Sequence, residues 1–458
     1  MDHPGQPRPG RPPRTYRWIA PLALALLALD MAAALVLVGH RPTGRSSPEA
    51  SETNARVHTR PERPTGPRAV EAAVTRLLER RADAVLTHDR TAFLATVDPA
   101  ARDVRARQER RFGNLSALPF AAFTYQLDDL DRTLRAARPG EAGRASATGR
   151  VALRYRIRGY DRQAVEGVEH LRFVRRGDAW FVAGDAAGGG QRAAPGDTPS
   201  RQLWDFGKVS LVRGSRSIVL GLLPGPALRS YSDEADEAVP AISAVWGTAW
   251  PRRVVVVVPE TEDQMSLLLG AEPDTYTQIA AVTTGERRYG PDEDAPSDRV
   301  TINPLAYGEL RSLGRRVVMT HEIAHIATRY ATKPWTPMWL TEGMADYLGY
   351  RNVDIPVSAG AVELIRDIRA GRMPRSLPGD GAFRTTQDDL AQAYEMSWLA
   401  CHFMADRYGE SRLVAFYRAV GRHPDPDRAV GAAFREVLGT TEREFIRLWQ
   451  DYLRSVAA

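Results

Sequence analysis

The sequence predicts an α+β, multidomain protein with one membrane-spanning helix near its N-terminus, and three observations carry that reading. An apolar run from Trp18 to Gly39 is about long enough to cross a bilayer. Two polar stretches, residues 40–67 and 186–202, are rich in Pro, Gly, Ser, Thr and Arg and poor in large apolar side chains. The segments they separate change pattern in blocks, helices then strands in 68–185 and strands then helices in 203–458.

At the N-terminus, residues 1–17 are polar and carry Arg8, Arg11, Arg14 and Arg17, against Arg41 and Arg45 beyond the run. That asymmetry favours a cytoplasmic N-terminus and a single-pass anchor in the cell membrane, with the remainder extracytoplasmic. Asp30 lies mid-span, at a cost of roughly 2.5–3.5 kcal/mol that the surrounding leucines and alanines offset. The exit Val36-Leu37-Val38-Gly39-His40 lacks a small-x-small cleavage pattern, so the anchor is expected to stay uncleaved. Residues 40–67 then read as a flexible stalk.

Residues 68–185 open with helical spacing from Ala69 to His88 and a second helical region to Phe112. Strand-like runs follow at Phe120–Leu127, Ala145–Ile157, Gly167–Arg175 and Ala179–Gly184. Helices before a curved antiparallel sheet resemble the cone-shaped nuclear transport factor 2-like domains, with Gly167–Asp185 in the place of their closing strands. The resemblance implies an accessory or spacer unit. His170, alone in its strand, reads as structural.

After a linker at 186–202, residues 203–458 begin with short strands including Ser217–Leu222. A helix is expected from Asp233 to Gly247 with Ser232 as its cap. Arg252–Pro259, with five consecutive valines, has the character of a buried central strand. Gln278–Thr284 and Arg299–Asn303 are further strands, and from Leu310 onward the chain reads as helix.

Composition narrows the function classes. The net charge of +6 is spread among carboxylates without a basic stripe, so no nucleic-acid partner is expected. The single cysteine, Cys401, excludes an intrachain disulfide and a four-cysteine metal site. It lies in an apolar helical stretch and reads as a small core residue.

The chemistry is concentrated in Met319-Thr320-His321-Glu322-Ile323-Ala324-His325. Residues four apart in an α-helix share a face, so the imidazoles of His321 and His325 can reach one cation. Glu322, one residue along, falls beside the metal, where it can act on a bound water. A catalytic zinc takes three protein ligands, and the candidate third is Glu342, in Trp339-Leu340-Thr341-Glu342-Gly343-Met344-Ala345-Asp346-Tyr347. The two prolines within Lys333–Pro337 let this second helix turn back across the first. Asp346, four residues past Glu342, can accept the free N–H of a ligand histidine and orient its ring.

His-Glu-x-x-His followed by Trp-Leu-x-Glu-Gly-x-Ala-Asp-Tyr resembles the gluzincin metallopeptidases, the group containing thermolysin and aminopeptidase N. The resemblance covers about 30 residues and implies a domain with a small mixed sheet and a mostly helical C-terminal half. It further implies Zn2+ held by His321, His325 and Glu342, Glu322 as catalytic base, and a peptide or protein substrate. Ala393-Tyr394-Glu395-Met396-Ser397-Trp398 resembles the helix carrying the oxyanion-stabilising tyrosine of aminopeptidase N-like members, which would make Tyr394 catalytic. The exopeptidase signature Gly-x-Met-Glu-Asn is absent, which favours an endopeptidase. Two other classes fit less well: a catalytically silent zinc-bearing surface protein, which would not need Glu322, and a signalling anchor acting through residues 68–185.

Overall fold

The two blocks of apolar patterning become two hydrophobic cores with one sheet between them. The structure, a computed structural model, describes residues 67–131, 145–186, 199–285, 297–384 and 389–458. The first core forms under α1 (Pro67–Leu86), α2 (Arg90–Ala95) and α3 (Arg102–Ser116). On α1 the buried Val74, Leu77, Leu78, Ala82 and Val85 follow the three-and-four spacing of a single face. These helices lie on an antiparallel meander of β1 (Phe120–Asp131), β2 (Ser146–Ile157), β3 (Val165–Arg176) and β4 (Ala179–Asp185).

A five-stranded mixed sheet follows, made of β5 (Ser210–Arg213), β6 (Ser217–Gly221), β7 (Val254–Val258), β8 (Ala281–Gly285) and β9 (Asp298–Ile302), in the order β5-β6-β7-β9-β8. The valine strand β7 is central and parallel to both neighbours, as its all-apolar character requires. Its alternating side chains divide between the cores. Val254, Val256 and Val258 enter the second, while Val255 joins Ile218 and Leu220 in the first. Leu203 and Trp204 also pack into the first core.

Between β6 and β7 runs α4 (Gly225–Trp246), about two turns longer than expected. The expected start at Asp233 with a Ser232 cap is corrected. Pro226 occupies the first turn, where a missing N–H costs nothing, and Ser232 is buried inside the helix with its hydroxyl 3.0 Å from that of Ser217. After β7, α5 (Glu262–Leu269) leads to β8, and beyond β9 the chain is helical: α6 (Pro304–Glu309), α7 (Ser312–Thr328), α8 (Met338–Tyr350), α9 (Val357–Gly360), α10 (Val362–Arg369), α11 (Leu390–Tyr408), α12 (Glu410–Arg422), α13 (Ala429–Leu438) and α14 (Glu442–Ala457).

The fold class is corrected in one respect. The architecture is α+β and multidomain, but among the described residues no helix is long and apolar enough to cross a membrane. The longest helices, α1 and α4, interleave arginines and carboxylates with their apolar faces, which suits a half-solvated surface. The run Trp18–Gly39 and the stalk at 40–66 lie outside the described residues.

A buried ion pair joins the two units. Arg299 on β9 donates both terminal nitrogens to Asp161 in the β2–β3 turn, at 2.7 and 2.9 Å, with side-chain exposures of 4% and 1%. Ser297 Oγ donates to the Gln163 carbonyl beside it, and Arg329 at the end of α7 donates to Asp298. Removing one partner of such a pair strands the other charge away from water. Asp161→Ala should therefore lower the unfolding free energy by about 3–5 kcal/mol, read from urea denaturation, and a loss below about 1 kcal/mol would mean that solvent reaches Arg299 freely.

Candidate metal centre

The site is built where two buried helices cross. Every residue of α7 from Val317 to Thr328 is buried, as is every residue of α8 from Trp339 to Tyr350. α8 lies this deep because glycine meets backbone on two of its sides. A Cβ on Gly343 would collide with the Ser397 carbonyl of α11, and one on Gly349 would stand 3.1 Å from the Val317 carbonyl of α7. Glycine is required at 343, and at 349 a larger residue would push the helices apart by a few tenths of an ångström.

The crossing brings together His321, His325 and Glu342, and these three residues form a buried group that can hold a metal ion. The two imidazole Nε2 atoms are 3.1 Å apart. Glu342 Oε2 lies 3.3 Å from His321 Nε2 and 3.6 Å from His325 Nε2. A tetrahedral cation with bonds of 2.0–2.1 Å sets its ligand atoms about 3.3 Å apart, so all three separations fit one. The donor chemistry fits as well. The Glu342 carboxylate is 0% exposed, and neither of its oxygens has a hydrogen-bond partner. An uncompensated buried carboxylate costs several kcal/mol, and a bound cation removes that cost.

Asp346 lies where the four-residue spacing put it, with Oδ1 2.8 Å from His321 Nδ1. This contact assigns the proton to Nδ1 and leaves the Nε2 lone pair turned toward His325 and Glu342. Glu322 is 3% exposed and outside the ligand group, yet close enough for its charge to act on His321. Burial opposes a charge on His321. The carboxylates of Asp346, Glu342 and Glu322 outweigh burial and hold the imidazole well above its ordinary pKa. Burial likewise raises the Glu342 carboxyl, but His325 and His321 reverse this and bring it down to about 2. The cluster is therefore a negative cage that calls for positive charge.

Tyr394 is on α11, the helix against Gly343, and is fully buried with its ring edge-to-face on Phe383 at 5.4 Å. Its burial matches that of His321, Glu342 and His325, which are also almost fully covered. His402 also lies apart from the ligand group, its Nδ1 3.0 Å from the Tyr452 hydroxyl. Cys401 is buried, and burial pushes its thiol far above the ordinary range, so it is inert. One contact was not anticipated: Thr283 Oγ1 on the sheet-edge strand β8 donates to the Glu322 carbonyl at 2.9 Å. A lone threonine in a strand pattern carries no signal for such a role.

Among known proteins, the chain matches no family model and no curated protein.

Two outcomes follow. Removing the carboxylate that orients His321, as in Asp346→Ala, should weaken metal binding about 10–100-fold, measured by competition with a chromophoric chelator; unchanged affinity would rule out an orienting role. The second concerns Glu395 on α11, whose buried carboxylate accepts the amides of Glu363 and Leu364 at the start of α10. Burial and the Glu363 side chain push its pKa up to about 9, against those amides. An unfolded glutamate ionises near 4.3, so from about pH 5 to 9 the fold keeps a proton that the unfolded chain has lost, and stability falls as pH rises. Glu395→Gln should flatten that slope, raising the urea midpoint at pH 9 relative to the parent more than at pH 5. An equal offset at both would show that Glu395 does not titrate in this window.

Proposed function

We propose that this chain is a zinc-dependent metallopeptidase of the gluzincin type that hydrolyses internal peptide bonds. The observation that carries the reading is the convergence of two imidazole nitrogens and one carboxylate oxygen at 3.1–3.6 Å, with a further carboxylate, Glu322, beside them but outside the set. Two histidines and one glutamate with an open fourth position is the donor set of catalytic zinc; structural zinc sites are closed by four ligands and draw heavily on cysteine. The resemblance of His321–His325 and Trp339–Tyr347 to the gluzincin motifs supports the same conclusion.

Bound there, Zn2+ would polarise the scissile carbonyl and bring the pKa of a coordinated water toward about 7. Each protein group then has one task. Glu322 takes the proton from the attacking water and returns it to the departing amine nitrogen. Asp346 holds the His321 ring in the tautomer that exposes Nε2. Tyr394, on the helix packed against Gly343, would donate its hydroxyl to the developing oxyanion. The edge strand β8, tied to the Glu322 turn through Thr283, offers main-chain groups to an extended substrate. Residues 68–185 serve as an accessory unit of nuclear transport factor 2-like type.

Glu322→Gln keeps the shape of the side chain and loses its basicity. The variant should retain its metal, by elemental analysis, and lose about 10²–10⁴-fold in kcat/KM on a peptide library. Parent-like hydrolysis would remove Glu322 from the role of base. Metal bound with no turnover by the parent would favour a binding protein.

A further inference from the structure

A second site lies in the N-terminal unit, in a cleft of about 1100 Å3 between α3, β3, β4 and residues 199–209. None of its lining residues belongs to the metal group. Its floor is polar where a small unit would be expected to bury apolar side chains. From α3, Gln108 and Arg111 face the cleft; Arg111 pairs with Glu169 of β3 and, at 3.4 Å, with Asp205. Behind Gln108 lies Arg81, 2% exposed, whose direct partners are all uncharged: the hydroxyl of Thr96 at 3.1 Å, the amide oxygen of Gln108 and the ring of Phe93.

Burying this much polarity is unfavourable unless each group is satisfied. It is not. Arg81 Nε, Arg111 Nε and Trp204 Nε1 are buried N–H groups with no hydrogen-bond partner. All three are donors, and Arg111 and Trp204 line the cleft itself; the Tyr125 hydroxyl behind them, near Arg81, is the one other buried side-chain atom of this unit without a partner among the described residues, and it can donate or accept. The other concentration of such atoms is the Glu342 carboxylate, where a cation fits. Here the polarity is reversed, and the missing component is an acceptor. The rim agrees: Arg107, Arg110, Arg201 and Lys208 stand exposed around the opening, against two exposed acidic residues, Asp185 and the Arg111 partner Asp205. The volume exceeds what a bare inorganic ion fills and is large enough to admit a small organic ligand.

We propose that this cleft binds a small organic anion, its carboxylate or phosphate oxygens taken by the buried donors and the cationic rim, at a site separate from the metal centre. The arrangement gives charge-assisted hydrogen bonds in a partly desolvated pocket, which is what selective capture of such a group requires.

The test uses the full chain and three probes: glycerol 3-phosphate, succinate and inorganic phosphate, titrated by calorimetry against sodium chloride of matched ionic strength. At least one organic probe is expected to bind saturably with a Kd near or below about 1 mM, and inorganic phosphate more weakly. The exposed-rim variant Arg107→Gln/Arg201→Gln/Lys208→Gln should raise that Kd by about tenfold or more. Trp204→Phe, which keeps an aromatic ring against Phe120 and Tyr155 but removes the indole N–H, should raise it several-fold while the melting temperature without ligand stays within a few degrees. His325→Ala should leave the Kd unchanged, separating this site from the metal centre. The proposal is overturned if neither organic probe binds, if the rim and Trp204 variants bind like the parent, or if binding disappears in His325→Ala.

Discussion

The architecture of the site depends on how closely α8 can approach its neighbours. Gly343 meets the backbone of α11 so closely that no side chain larger than hydrogen fits, and Gly349 lies nearly as tight against α7, so α8 is sandwiched deep between them. That depth carries Glu342 into van der Waals range of two histidine rings that α7 presents one turn apart. Even a shift of about one ångström would open the 3.1–3.6 Å spacings beyond what one small cation can bridge. The sheet contributes from the other side, where β8 braces the Glu322 turn of α7 through Thr283. The pair Arg299–Asp161 and its neighbour Arg329–Asp298 connect the far end of α7 to β9 and the N-terminal unit. The metal helix is thus held along its length by three separate parts of the chain.

The same packing creates an electrostatic demand. Glu322, Glu342 and Asp346 surround His321 in a buried region, and two imidazoles alone cannot neutralise three carboxylates. Without a cation the fold answers by drawing a proton onto His321 and by holding Glu342 ionised against its burial. A divalent ion answers the same demand with better geometry, because it coordinates the Glu342 carboxylate directly, where the two imidazoles approach it only at 3.3 and 3.6 Å. The N-terminal cleft poses the opposite problem, orphaned donors near a cationic rim. In both places the unsatisfied atoms indicate which charge is missing.

What was legible in the sequence was whatever local spacing encodes. Four-residue spacing put His321 and His325 on one face, and the same spacing put Asp346 beside Glu342, so the contact of Asp346 with His321 Nδ1 followed once α8 crossed α7. Five valines in a row read as a central strand, and β7 is one. What was not legible depends on distant partners. Ser232 has the chemistry of a cap but lies inside α4, because a proline further upstream is a better place to begin a helix. Thr283, Asp161 and the floor of the N-terminal cleft gain their meaning only from residues dozens to more than a hundred positions away.

The central claim, that His321, His325 and Glu342 close on one metal ion, is tested most directly by zinc K-edge X-ray absorption on the chain as isolated. The account predicts one zinc per chain with a first shell of about four nitrogen and oxygen atoms at 2.0–2.1 Å, including the multiple-scattering signature of two imidazoles. Glu342→Ala should lose one oxygen from that shell. A chain that holds no zinc after equilibration, or a shell with fewer than two imidazoles that the Glu342 substitution leaves unchanged, would contradict it.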